Sequence, residues 1–302
     1  MPNIWTHMLF CEDVVDSIGK PNPFPKLERI MNLGAQGPDP FFYYNFWPWV
    51  KDEPVNEIGL LLHQKHCGEF LMDLIVSVKN KSEELKAYVF GFITHHILDR
   101  NTHPYVHYRA GYEGSKHQKL EIIIDTIMMK RNKNMDTWKV PVYKEINVGS
   151  TLNEDLVELL YERINKYYPE AFRGSPSYIN KSYSDMKLAL RILADPYHWK
   201  NKLFKSLVSS FSHQPVNDDV DYLNINNEPW YHPATNEPST KSFIDLYEQG
   251  RIEAIEILTA VLSFWEDELP KHTVRERIGD ISYDTGKPLK LRLENRYSDP
   301  IV

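Results

Sequence analysis

Apolar residues recur every three or four positions along most of this chain, which is the spacing of one face of an α-helix. Strand-like alternation is rare, and its best example, 283–293, is equally typical of an irregular tail or a small hairpin. The pattern therefore predicts an all-α fold. The helices are predicted at Leu60–Val78, Glu83–Asp99, Lys116–Met129, Asn153–Tyr168, Tyr183–Leu193, Lys200–Phe211 and Ser242–Leu269.

Segments rich in proline, glycine and asparagine separate these helices and predict loops. They are 19–26, 34–54, 173–178 and 217–240. The last is long for a loop inside a compact domain, so we expect it to pack on the protein through Trp230 and Tyr231.

Composition narrows the class of protein. The 302 residues, 42% of them hydrophobic, can bury a sizeable core. A formal charge of −7 argues against nucleic acid as a partner and favours a small substrate. The apolar runs fall short of the roughly 20 residues that span a bilayer, so at most peripheral membrane contact is expected. The first residues carry no basic leader, which favours a cytoplasmic protein, and the oligomeric state is left open.

The clustering of histidines marks the candidate functional site, since seven of the twelve lie between His63 and His117. Residues four apart share one face of a helix, so His95 faces the same way as Asp99, and His117 the same way as Glu121. A single pair of this kind is more often a solvated ion pair than a metal site. Two pairs within 27 residues, with further histidines between them, instead indicate a metal site. Imidazole and carboxylate ligands suit zinc, with iron or manganese as competitors.

The order of these residues resembles the metal-binding core of the bacterial zinc-dependent phospholipase C family, whose all-α fold is shared with single-strand-specific zinc nucleases. The resemblance covers about the first 130 residues and runs His, Asp, His, His-x-x-x-Asp, His, His-x-x-x-Glu. It implies two or three zinc ions and the metal ligands His7, Asp39, His63, His95, Asp99, His103, His117 and Glu121. It also implies a catalytic role for Asp39 as general base.

Within this resemblance, Asp39, His63, His95 and Asp99 would form one metal site, and His103, His117 and Glu121 a second. Asp99 would bridge to a third metal held with His7. Secreted members bind that third metal through a terminal tryptophan, whereas this chain begins Met-Pro, so the third metal is left open. Because the step from Asp99 to His103 is shorter than usual, His107 is kept as the alternative ligand.

The resemblance predicts a phospholipase C-like multi-helix bundle, with 1–150 as the metal-binding helical core and 151–302 as a helical C-terminal half packed on it. The implied function is hydrolysis of a phospholipid head group or other small phosphoester by a metal-activated water. Two alternatives stay open: a single-strand nuclease-like phosphodiesterase, and a metal-stabilised helical scaffold without turnover. Aromatic residues after Asp39 are candidates for an apolar wall around the substrate: Phe42, Tyr44, Phe46 and Trp47.

Overall fold

The structure is a computed structural model that describes residues 4–19, 22–47, 49–50, 54–171, 174–203 and 209–302. Helices dominate this part of the chain, as the periodicity predicts. In chain order they are α1 (Ile4–Ile18), α2 (Glu28–Gly34), α3 (Pro54–Gln64), α4 (Cys67–Val78), α5 (Glu83–Ala110), α6 (Lys116–Lys133), α7 (Glu154–Tyr167), α8 (Ser177–Leu193), α9 (Trp199–Leu203), α10 (Phe243–Trp265) and α11 (Lys271–Ile278). Short 3-10 helices lie at Asp39–Tyr43, Thr137–Lys139, Val142–Lys144 and Leu289–Leu291.

Helix α5 forms the centre of the molecule, and nearly every residue from Ala87 to Ala110 is buried. It begins at Ser82, whose side chain accepts a hydrogen bond from the Leu85 amide. The prediction that it ends at Asp99 is wrong, because the helix continues through Pro104. Surrounding elements bury this helix on all sides, so tertiary packing offsets the backbone hydrogen bond that proline removes.

The predicted helix Leu60–Val78 is wrong in a different way, because the structure divides it into α3 and α4. His66 interrupts it with a left-handed backbone, φ 53°. Apolar spacing carries across this break, which is why the sequence pattern shows one helix where the chain turns. The turn sets the end of α3, and with it His63, against α5.

The described part of the C-terminal half holds little strand. Two short antiparallel strands, Trp230–Tyr231 and Pro238–Ser239, lie inside the segment predicted as a long loop. Trp230 is buried as expected, whereas Tyr231 is exposed. The predicted strand at 283–293 forms a single antiparallel bridge between Ile281 and Pro288, followed by a 3-10 helix. Part of the predicted helix Lys200–Phe211 lies outside the described residues.

The buried apolar residues form one continuous cluster that draws on both halves of the chain. Trp265 of α10 illustrates this, since its indole N–H donates to the Ile75 carbonyl of α4. Arg100 of α5 similarly pairs with Glu253 of α10 at 2.7 Å. The division at residue 150 stays a prediction. Among the described helices, none is both long and apolar enough to cross a membrane.

The first turn of α1 is fixed by a buried carboxylate on α6. Asp125 accepts hydrogen bonds from the Trp5 and Thr6 amides at 3.1 and 2.9 Å and from the Thr6 hydroxyl. His213 Nε2 adds a contact of 3.1 Å from the other side. These contacts satisfy amides that a helix leaves unpaired at its start, and they set the position of His7 one residue further on.

We expect Asp125→Ala to lower the free energy of unfolding by on the order of 2 to 4 kcal/mol, because buried donors lose their acceptor. Urea unfolding followed by circular dichroism measures the change. Asp16→Ala removes an exposed acid from the same helix α1 and serves as the control, with little change expected. Equal midpoints for the two variants would contradict this account of how α1 is anchored.

Candidate metal centre

A single buried carboxylate, that of Asp99, lies at the middle of the histidine cluster. Each of its oxygens faces two imidazoles. Oδ1 lies 3.3 Å from Nε2 of both His7 and His103. Oδ2 lies 3.0 Å from Nε2 of His95 and 3.6 Å from Nε2 of His63. Helices α1, α3 and α5 thus converge on one side chain.

Asp39 approaches the same point from the 3-10 helix Asp39–Tyr43. Its Oδ1 lies 3.7 Å from His63 Nε2 and 3.6 Å from His95 Nε2. The opposite ring nitrogens are held by backbone carbonyls, since Nδ1 of His63 donates to Gly59 at 2.7 Å and Nδ1 of His95 to Ala35 at 3.0 Å. These hydrogen bonds fix both rings with Nε2 directed into the cluster, an arrangement that metal-binding histidines commonly show.

A second group of ligand atoms lies beside the first, where α6 meets α5. His117 and Glu121 are 2.7 Å apart across one turn of α6. Glu121 Oε1 also lies 4.0 Å from Nε2 of His103. The helical pair predicted from spacing therefore meets a histidine of the other helix, and the three residues could hold one metal ion.

The nitrogen and oxygen atoms of this cluster are arranged as metal ligands and not as hydrogen-bonded pairs. Nε2 of His7, His63, His95 and His103 and both oxygens of Asp99 are buried without a hydrogen-bond partner. Unpaired polar atoms are costly in a protein interior. Ligands of a tetrahedral zinc ion, each about 2.1 Å from the metal, lie roughly 3.4 Å apart, which is close to the separations found here. The donor set therefore fits zinc.

Burial lowers the pKa of His7 and His103 and so favours their neutral state, which is the state that binds metal. It lowers the pKa of His7 to about 4, with a further contribution from His95. It lowers the pKa of His103 to about 3. Burial alone would raise the pKa of Asp99, but the neighbouring His103 and His95 outweigh it and hold that pKa well below its usual value. Burial raises the pKa of Asp39 well above its usual value, partly offset by His63.

All eight residues predicted as ligands lie in this one region of the structure. His107 does not replace His103, because His103 is the histidine that faces Asp99 and Glu121. The prediction of a loop position for Asp39 is wrong: it begins a 3-10 helix and is 6% exposed. The neighbouring histidines differ from the cluster, since His66 pairs with Glu69 and His96 contacts the Ile281 carbonyl at 2.9 Å.

Sequence reasoning missed the loop that follows α11. Tyr283 donates its amide to the His63 carbonyl at 3.1 Å, and its ring lies 4.3 Å from that of His96. Asp284, next to it, lies 3.7 Å from His103 Nδ1 and 3.8 Å from His107 Nε2. An isolated aspartate in a segment without histidines gives no sequence signal, so only the fold reveals it.

Comparison with known proteins identifies one family. A family model described as zinc dependent phospholipase C matches residues 6–174, which is more than half of the chain. The matched segment includes all eight predicted ligands and ends well before Asp284. No curated protein and no solved structure matches the chain.

We expect removal of a ligand to lower the metal content. His63→Ala should lose at least one zinc equivalent, because His63 faces both Asp39 and Asp99. Elemental analysis of protein purified without added metal measures the content. His66→Ala is the matched control, since His66 lies three residues away with an exposed side chain. Protein that is folded and metal-free before any substitution would rule out the metal centre.

Gly37→Ala tests how tightly the cluster is packed. Gly37 has φ +51°, and an added Cβ would lie 2.4 Å from Cδ2 of His95. The ring would have to move, so we expect zinc affinity to fall at least tenfold in a chelator competition. Gly114→Ala is the control, because Gly114 has φ +54° with no atom within 4 Å of the added carbon. Both variants carry the same backbone strain, so equal zinc affinity would mean that His95 is not confined.

Proposed function

Because the chain belongs to the zinc-dependent phospholipase C family, we propose that it hydrolyses a phosphodiester, with a phospholipid head group or another small phosphoester as substrate. The observation that carries this proposal is the carboxylate of Asp99 with imidazole nitrogens on both of its oxygens. Such a carboxylate can join neighbouring metal ions, and adjacent metal ions are the usual arrangement for phosphodiester hydrolysis.

The cofactor that fits these residues is zinc, as two or three ions. When bound, zinc neutralises the charge of a phosphodiester and lowers the pKa of a bound water toward about 7. The chain itself supplies the rigid frame, since His63 and His95 are fixed through their second ring nitrogens. Reacting groups held in place need little reorganisation, which favours catalysis.

The cluster is closed on one side and partly open on the other. The side chains of His7 and Asp99 are fully buried, whereas those of His117 and Asp284 are 19% and 22% exposed. We therefore place the approach of the substrate on the side of α6 and the loop after α11. A fully closed cluster would instead favour a purely structural role for the metals.

We assign the general base to Asp39. Its carboxylate lies beside His63 and His95, where it can orient the attacking water and accept its proton. The water oxygen forms a bond to phosphorus, and the bond from phosphorus to the glycerol oxygen breaks. The released alkoxide takes up a proton, so the products are diacylglycerol and the phosphorylated head group.

Aromatic residues after Asp39 would supply part of the substrate pocket. Phe42 lies against His63, with ring centroids 5.6 Å apart. Phe46 and Trp47 instead stack on each other, and Trp47 stacks on the exposed Trp49. Of the predicted wall, Phe42 is thus the best supported member, because its ring touches a candidate ligand.

We expect Asp39→Asn to lower kcat by about 10² to 10⁴ with zinc still bound, since the amide cannot accept the proton. The assay uses three phosphodiesters: phosphatidylcholine in mixed micelles, bis(4-nitrophenyl) phosphate and single-stranded DNA. Zinc content is measured on the same samples. Asp16→Asn, which changes an exposed acid of α1, is the control and should keep full activity.

Other outcomes separate the alternatives. Asp39 is a predicted ligand as well as the assigned base, so loss of a zinc equivalent in Asp39→Asn would mean that the fall in kcat reflects lost metal, which would contradict the base assignment. Cleavage of single-stranded DNA alone would replace the lipid assignment by a nuclease-like one. Zinc-loaded protein that cleaves none of the three substrates would contradict the proposed function and favour a structural role for the metals.

A further inference from the structure

His107 and Asp284 lie at the partly open side of the cluster. Asp284 belongs to neither predicted metal site, and His107 entered only as the alternative to His103, which faces Asp99 and Glu121 itself. His107 is one turn after His103 on α5, and Asp284 follows α11. Asp284 lies far beyond residue 174, where the family match ends. The two residues therefore need a separate explanation.

The distances between these side chains suit ligands of one ion. Asp284 Oδ1 lies 3.8 Å from His107 Nε2 and 3.7 Å from His103 Nδ1. Both distances are too long for hydrogen bonds but within the range for two ligand atoms of one zinc ion, roughly 3.2 to 3.8 Å. One nitrogen of each histidine and one carboxylate oxygen lie within 4.8 Å of one another.

Unpaired buried atoms point to a missing ligand at this place. Both ring nitrogens of His107 and Nδ1 of His103 are buried without a hydrogen-bond partner. His63 and His95 differ, because a backbone carbonyl accepts from Nδ1 of each ring. Imidazole nitrogens and carboxylate oxygens are ligands that zinc commonly takes in proteins.

Protein contacts hold the loop that carries Asp284 against α5. Gln64 donates to Asp284 Oδ2 at 3.0 Å, which leaves Oδ1 directed at the imidazoles. Gly286, at φ +60°, approaches so closely that an added Cβ would lie 2.2 Å from the Arg100 carbonyl oxygen. Pro104 has no N–H to donate to that carbonyl within the helix, so the close approach occurs where α5 is interrupted.

We propose that His107 and Asp284, with Nδ1 of His103 as the nearest third donor, form a further zinc site beside the two predicted ones. His103 would then face two groups through opposite ring nitrogens, with Nε2 toward Glu121 and Nδ1 toward Asp284. A neutral imidazole has a lone pair on only one ring nitrogen, so His103 would hold ions on both sides as an imidazolate, with its ring proton released to solvent. The ion would add positive charge at the side where the cluster is partly exposed. This site does not depend on the proposed hydrolysis, because it is defined by metal content.

The test counts zinc in the full chain. Protein is stripped with chelator, reloaded with zinc, freed of excess by gel filtration and analysed for zinc per chain. We expect His107→Ala and Asp284→Asn each to retain one zinc equivalent fewer than the unmodified protein. Asp219→Asn, which changes an exposed acid, is the control and should retain the full number.

Two results would overturn the proposal. If both variants keep the full number, the residues hold no ion. If Asp284→Asn loses an equivalent and His107→Ala does not, Asp284 acts only through His103, and there is no separate site. Asp284→Asn keeps the size of the side chain but removes the negative charge of the carboxylate, so it tests the site even if His107→Ala does not fold, as judged by circular dichroism.

Discussion

The buried carboxylate of Asp99 is where three helices of the candidate metal centre meet. It is completely buried, and a buried charge is tolerated only when opposite charge or strong donors surround it. Four imidazole nitrogens approach its two oxygens, and they come from three helices. Metal ions between these atoms would satisfy the carboxylate and the imidazoles together. Metal binding and helix packing are therefore coupled in this fold, because the same side chains take part in both.

Helix α5 supplies the frame for this arrangement. It places His95, Asp99, His103 and His107 on one face at intervals of four residues. Because the helix is buried on every side, its side chains are held by packing as well as by hydrogen bonds. Close contacts occur where a glycine, which has no side chain, leaves room for a neighbour, as at Gly37 beside His95 and at Gly286 beside Arg100. Packing and hydrogen bonds thus hold the ligand side chains of the cluster in place.

The C-terminal half takes part in the site and does not merely cover it. Tyr283 packs against three histidine rings and donates its amide to the His63 carbonyl. His232 anchors the same loop by contacting the Thr285 carbonyl at 3.0 Å. The segment beyond the family match thus adds contacts to the cluster of histidines and carboxylates, whose predicted ligands all come from the matched segment. This division explains why the resemblance, which covers about the first 130 residues, indicated the metal centre and gave no role to the rest of the chain.

The amino-acid sequence alone predicts the helical class, most of the longer helices and the ligand pairs within them, but its periodicity gave no helix at Ile4–Ile18, Glu28–Gly34 or Lys271–Ile278. Apolar periodicity reflects a helix with one buried face, and the spacing of four in His95 and Asp99 or His117 and Glu121 follows from the helical pitch alone. Sequence patterns failed at His66, where apolar spacing continues across a break between two helices, and at Pro104, where burial lets the helix continue through a proline. Only the tertiary structure decided that Asp39 is buried, that Asp125 anchors α1 and that Asp284 meets His107. These contacts join residues distant along the chain, and no local periodicity encodes the position of a loop against a helix far from it in sequence.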